Sequence, residues 1–123
     1  MAVTYTIAVK NARLTAVVTA IGATGVLEIG TAGMASVLAT IALNSTAGTA
    51  SGGVLTFSGF PKSDTSADNS GTAAAARIRT ASGGTDIVTG LTVGTSGSDI
   101  NLDSVSITAG QTVTINSATI THA

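Results

Sequence analysis

Arg77 and Arg79 are the residues whose type and spacing most directly suggest a binding contact. They flank Ile78 in the segment AARIRTA. Because side chains alternate between the two faces of a strand, both guanidinium groups should lie on one face and Ile78 on the other. Arginine is enriched at protein interfaces. The spacing therefore predicts an interface with an acidic partner surface, with a solvent-facing pair on an outer sheet as the alternative.

The segment DTSADNSG, residues 64–71, places oxygen-bearing side chains at alternate positions, as a calcium-binding loop does. Asn69 stands where the EF-hand pattern requires glycine, and Ala75 stands where it requires glutamate. We therefore predict an ordinary exposed loop over residues 61–72 and no metal site.

Catalysis would need a nucleophile and a base held together. His122 is the sole histidine, and we predict that it is a solvated or strand-end side chain. The acidic residues show no pairing in the sequence; they are Glu28, Asp64, Asp68, Asp86, Asp99 and Asp103. We expect no catalytic residue, no cofactor site and no enzymatic activity; a small hydrolase is the weakest of the alternatives.

Composition narrows the class of protein further. Hydrophobic residues make up 44% of the 123, aromatic residues 2% and charged residues 9%, with a net charge of −1 and no cysteine. The mean hydropathy is +0.52. Five scattered basic residues do not form the basic stripe that binding of nucleic acids requires. Glu28 and repeated Gly and Thr interrupt the apolar stretch 14–43, so we predict no transmembrane helix there. Such a chain either covers part of its surface with a partner, which we favour, or exposes a coat of Thr, Ser and Ala.

Two elements are predicted before residue 26. Val3, Tyr5 and Ile7 alternate with polar or small residues, which predicts a strand over residues 1–9. The apolar residues of NARLTAVVTAIG recur at helical spacing, which predicts a short helix over residues 11–22 with Asn11 as its N-cap.

The remainder, residues 26–122, predicts a β-sandwich. Gly-, Ser- and Asn-rich joints separate short apolar runs, as in sandwiches and barrels. The predicted strands are 26–29, 37–43, 54–57, 76–80, 86–93, 100–102, 105–108 and 112–120. We therefore expect one domain over residues 1–123: mainly β, an antiparallel sandwich of jelly-roll type with one short N-terminal helix.

The last predicted strand should be kinked. Val113 and Ile115 occupy odd positions, but Ala118 and Ile120 occupy even ones. A side-chain period of two cannot change parity without a bulge or a bend, which places the irregularity at Asn116–Ser117.

The segment VGTSGSDINLDSVSITAGQTVTINSATIT resembles a group of small virion proteins of tailed bacteriophages. After the first strand, the order of segments resembles the jelly-roll cement or decoration proteins on the outside of phage heads. The resemblance implies a structural protein that binds the major capsid protein and bridges its subunits after the shell expands. It implies a homodimer or homotrimer on the outer capsid surface, assembled in the host cytoplasm, without nucleic acid, membrane or cofactor. A tail or fibre protein or a receptor-binding module is the alternative.

Overall fold

A computed structural model describes residues 4–122 of the chain. The described residues form one helix, a short 3-10 turn over Ala32–Met34 and eleven strands. In chain order these are α1 (Ile7–Ile21), β1 (Val26–Gly30), β2 (Val37–Ala42), β3 (Gly48–Ser51), β4 (Val54–Phe57), β5 (Lys62–Asp64), β6 (Gly71–Thr72), β7 (Ala75–Arg79), β8 (Asp86–Gly94), β9 (Ile100–Leu102), β10 (Ser106–Ile107) and β11 (Val113–Thr121). The fold is mainly β and sandwich-like with one N-terminal helix, as predicted.

The N-terminal strand is the clearest error of the sequence interpretation. Residues 1–3 lie outside the described range, Thr4–Thr6 have no regular structure, and Ile7–Val9 belong to α1. The helix is capped by Thr6, whose hydroxyl accepts a hydrogen bond from the Val9 amide, and not by Asn11. A threonine cap satisfies an otherwise unpaired donor of the first turn. The helix therefore starts at Ile7, four residues before the predicted start at residue 11. Gly22 ends the helix, as predicted.

The strands form one curled sheet in the order β2-β1-β7-β8-β9-β11-β4-β3. β5 pairs with β11 outside this path, and β6 and β10 form a separate two-stranded sheet. Of the pairs among the described strands, β8 with β9 is parallel and the others are antiparallel. The curled sheet therefore has two outer edges, β2 and β3.

The core is built from small and aliphatic side chains. The largest side chains that are almost fully buried are Ile21, Leu27, Ile29, Leu38, Leu55, Ile78, Ile100, Leu102 and Ile115. Helix α1 packs against β3 and β4, and its predicted apolar face points inward with Leu14 and Ile21 buried. Among the described residues, Phe57 is the one buried aromatic side chain.

The kink predicted in the last strand is confirmed. In the pairing of β11 with β9, Ile115 lies opposite Leu102 and Ser117 opposite Asn101, so Asn116 is an extra residue. Val113, Ile115 and Ala118 are buried on the two sides of this bulge. The extra residue keeps both odd and even apolar positions in the core.

Two of the predicted joints contain three strands. β3 lies within the Gly- and Ser-rich segment 44–53, while β5 and β6 lie within the predicted exposed loop 61–72. Conversely, the strand predicted over 105–108 shortens to β10. β3, β5 and β6 lack the apolar alternation that identifies a strand in sequence, because pairing with neighbouring strands, and not burial, defines them.

Candidate functional site

Arg77 and Arg79 lie on one face of β7, as their spacing predicts, and both contact Glu28 of the neighbouring β1. Arg77 Nε donates to Glu28 Oε1 over 2.6 Å, and Arg79 Nη1 lies 3.8 Å from the same oxygen. Each arginine side chain is 22% exposed, whereas that of Glu28 is 7% exposed. The two arginines are thus half-buried and paired within the chain, unlike a fully solvent-facing pair.

Asp86 of β8 completes this charge cluster. Arg79 Nε lies 2.8 Å from Asp86 Oδ1. The Nε–H does not point at this oxygen or at another acceptor, so the contact is an ion pair without a hydrogen bond. Two arginines and two carboxylates leave the cluster with no net formal charge. The sequence interpretation missed Glu28, although a single charge inside the apolar run VLEIG indicates a buried pair.

The segment 64–69 covers the outer edge of β2. Asp64 Oδ2 accepts from the Thr40 amide over 3.0 Å, and the Asp68 amide donates to Leu38 O over 2.7 Å. The Asn69 side chain donates to Val37 O over 2.9 Å. The polar side chains that resemble a calcium loop in sequence therefore satisfy an exposed strand edge, a recurring device for preventing strand addition. Among residues 4–122, no three potential metal-binding side chains of the His, Cys, Asp or Glu type cluster.

Asp99 has a comparable structural role at the junction between β8 and β9. Its carboxylate accepts from the Thr92 amide over 3.0 Å, and the Thr92 hydroxyl accepts from the Asp99 amide over 3.0 Å. The Asn101 side chain bonds both to the amide and to the carbonyl of Ser98. These bonds hold the connection between β8 and β9, whose adjoining ends pair in parallel.

His122 lies beside Tyr5, which the sequence interpretation had placed in a strand. The two rings meet edge to face with centroids 5.8 Å apart, and the His122 amide donates to Gly53 O over 2.9 Å. The Arg13 guanidinium lies 4.7 Å from the Tyr5 ring centroid, within cation–π range. His122 is therefore at the end of β11, as predicted, and helps to hold Tyr5 in place.

Three large apolar side chains stay exposed around the start of α1, and we call this end of the helix, with Tyr5, Ile7 and Val9, the apolar patch. Ile7 and Val9 are two residues apart on the helix, so they point to different sides of its axis. The three residues are the large hydrophobic side chains exposed among residues 4–122, with exposed fractions of 42%, 51% and 43%. All three lie at or just before the N-terminal end of α1, and Lys10 and Arg13 follow within the next turn. The patch is thus apolar with a basic margin.

Residues 14–61 are a long stretch of the chain with almost no charge. Glu28 is the sole charged residue of this stretch, and it is buried. The exposed residues of the stretch are Ala, Gly, Ser, Thr, Asn and Pro. The exposed part of this stretch is therefore a coat of small side chains.

The described residues contain no pocket. They include no helix with both the length and the apolarity to cross a membrane. No protein-family model, curated protein or solved structure matches the chain. The resemblance to phage virion proteins therefore stays a prediction.

Proposed function

We propose that the chain is a structural virion protein, a cement or decoration protein that binds the outside of a phage head and bridges subunits of the major capsid protein. The observation that carries the proposal is the apolar patch at the start of α1. Three large apolar side chains that stay exposed at one end of a helix offer a surface for binding another protein. The proposal assigns no catalytic role to any residue.

Tyr5 has the properties of an anchor residue in such a contact. Aromatic side chains supply much of the binding energy of protein interfaces, and they do so best when they are held in place before binding. Arg13 lies over the Tyr5 ring, and the His122 ring packs against it nearly at a right angle, so two side chains contact the ring. Binding would then cost little side-chain entropy.

The charges around the patch indicate the kind of partner surface. The first turn of α1 has no acidic residue, and Lys10 and Arg13 follow it, although acidic side chains are the ones that stabilise a helix N-terminus. Basic residues near a helix N-terminus go against this preference, and such departures are typical of functional surfaces. We infer a partner surface with an apolar centre and acidic side chains around it.

The test is co-sedimentation of the purified protein with mature, expanded heads that lack it, and with unexpanded proheads. We expect saturable binding to mature heads alone. Ile7→Glu should weaken binding at least about tenfold, because it places a carboxylate in the apolar patch. The substitution should not unfold the helix, since an acidic residue in the first turn is favourable.

Ser82→Glu is the matched control. It adds the same charge in the exposed turn between β7 and β8, a turn that contacts the segment after α1 through the bond from Thr24 Oγ1 to Thr80 O. This places it about 20 Å from Ile7, the length of the helix, and head binding should be unchanged. Failure of the unsubstituted protein to bind either form of the head would overturn the proposal, and binding to isolated tails would favour the tail or fibre alternative.

A further inference from the structure

Arg77 and Arg79 have hydrogen-bond donors that the chain leaves unused. Arg77 Nε donates to Glu28, and no other nitrogen of either guanidinium group donates a hydrogen bond within residues 4–122. Arg79 Nε is the one of these nitrogens that is buried without an acceptor, so the Nη groups of both residues are open to solvent. Planar N–H groups of this kind recognise carboxylates and phosphates. The Nη groups are therefore available to an acidic group from outside the chain.

Glu28 holds the two guanidinium groups in position without covering them. Its carboxylate accepts from Arg77 Nε and lies 3.8 Å from Arg79 Nη1. The Glu28 side chain is 7% exposed and each arginine side chain is 22% exposed, so the arginines lie nearer to solvent than the carboxylate. Side chains that are held in place before binding lose little entropy when a partner arrives. The arginines are therefore prepared for an external contact.

The strand beside Arg77 leaves room for a partner. In the pairing of β7 with β8, Thr89 and Gly90 together lie opposite Arg77, so β8 has an extra residue at this point. Both residues are exposed, and a side chain at Gly90 would meet no atom within 4 Å. Bulges of this kind are common next to functional sites, where they redirect side chains. A side chain of a partner therefore has open space beside Arg77.

Asp86 is a weakly held carboxylate in contact with Arg79. Its side chain is 43% exposed, and the Arg79 Nε–H does not point at it although the two charged atoms are 2.8 Å apart. Ile87, the next residue of β8, is an extra residue in the pairing with β7, so the ladder is irregular beside Asp86. An exposed ion pair contributes little to stability. Another carboxylate can therefore replace Asp86 at small cost.

We propose that Arg77 and Arg79 bind an acidic side chain of a partner protein, and that Asp86 occupies the place of this side chain in the free chain. The carboxylate of the partner displaces Asp86 from Arg79 and contacts the Nη groups of both arginines. After the exchange, two arginines still contact two carboxylates, so the occupied site has no net charge. The spacing of the arginines predicted an acidic partner, and Asp86 is the competitor within the chain.

A protein fits this surface better than a nucleic acid or a small molecule. Nucleic acids bind through several phosphates, and Glu28 and Asp86 beside the arginines would repel such a run of negative charge. Lys10 and Arg13 lie near the start of α1, whereas the segment after its end contacts the turn that follows β7, so they cannot extend the site. Small molecules bind in concave pockets, and the described residues contain none.

Nuclear magnetic resonance of the isolated protein tests the proposal, with the peptide acetyl-Gly-Gly-Glu-Gly-Gly-amide as the probe. The Nε–H signals of Arg77 and Arg79 should shift with half-saturation on the order of 10 mM, and the same peptide with glutamine should not shift them. Asp86→Asn removes the competitor and should lower the half-saturating concentration at least about threefold. Arg79→Lys keeps the charge but loses the planar fork, and it should raise that concentration at least about threefold.

Asp103→Asn is the matched control. It removes the same charge from another exposed aspartate, which follows β9, the strand that pairs with the opposite end of β8, about 20 Å from Asp86. This variant should bind the peptide like the unsubstituted protein. Unshifted Arg79 signals, equal effects of Asp86→Asn and Asp103→Asn, or tighter binding of a short DNA duplex than of the peptide would each overturn the inference. The measurements use neither heads nor the apolar patch, so this inference and the proposed function can fail separately.

Discussion

Glu28 and Arg77 lie directly opposite each other on β1 and β7, and their charged groups are 2.6 Å apart. Glu28 is the one charged residue that residues 4–122 bury. Breaking a buried ion pair leaves its partner unpaired, which is costly. We expect Glu28→Gln to lower the free energy of unfolding by about 2–4 kcal/mol, toward the lower end because Arg77 is partly exposed.

Urea denaturation measures this effect as a lower midpoint with an unchanged slope. Asp86→Asn is the matched control, since Asp86 also pairs with an arginine but its side chain is 43% exposed. It should cost less than about 1 kcal/mol. Equal losses from the two substitutions would contradict the assignment of Glu28 as the centre of the charge cluster.

Asp99 and Thr92 should be energetically coupled. Asp99→Ala removes the acceptor of the Thr92 amide, and Thr92→Val removes the acceptor of the Asp99 amide. Each change should cost about 1–2 kcal/mol, a loss of about 4–8 °C in Tm. Because both bonds hold one turn, the double variant should lose less than the sum of the single losses. Strict additivity in this cycle would show that the two bonds act independently.

The sequence predicted the elements that burial defines. Short apolar runs between Gly-rich joints identified β4 and β9 with their observed bounds. They identified β1, β2, β7, β8 and β11 to within one residue at either end. It also located the bulge at Asn116, because the change of parity is a direct consequence of which side chains reach the core. The periodic face of α1 was predicted for the same reason.

Elements defined by hydrogen bonds were not predictable in the same way. Tyr5, Ile7 and Val9 alternate like a strand, but a hydroxyl cap at Thr6 starts a helix there and leaves these side chains exposed. Likewise, β3 consists of small residues whose strand geometry depends on the pairing with β4. The charge cluster was predictable only in part. The shared face of Arg77 and Arg79 followed from their spacing, but identifying Glu28 as their common partner requires the register of β1 against β7.

Asp64 should contribute strongly to covering the outer edge of β2. Its carboxylate accepts from the Thr40 amide and from the Ser66 amide, both over 3.0 Å. Asp64→Ala should cost about 1–3 kcal/mol because two backbone donors lose their acceptor. The Thr40 amide should also exchange at least about tenfold faster, since its local opening becomes easier.

Amide exchange of Thr40 distinguishes this role from a general loss of stability when it is compared with Asp68→Ala. Asp68 contacts the Thr40 hydroxyl over 3.4 Å, a long and exposed bond. Its removal should therefore leave Thr40 exchange nearly unchanged. If instead the Thr40 amide stays protected in Asp64→Ala, the edge is covered by the backbone of the segment 64–69 and not by this carboxylate.

Gly52 is the position where the hairpin that carries β3 can be stabilised. Gly52 and Gly53 both have positive φ, 60° and 77°, as a type I′ turn requires. A side chain at Gly52 meets no atom within 4 Å, so only its backbone conformation matters. Asparagine tolerates this conformation and alanine does not. Gly52→Asn should therefore be neutral or stabilise by a few tenths of a kcal/mol, whereas Gly52→Ala should destabilise by about 1 kcal/mol. Thermal denaturation of the two variants gives the comparison, and since both add a side chain in open space, equal melting temperatures would mean that the turn does not hold this backbone conformation in solution.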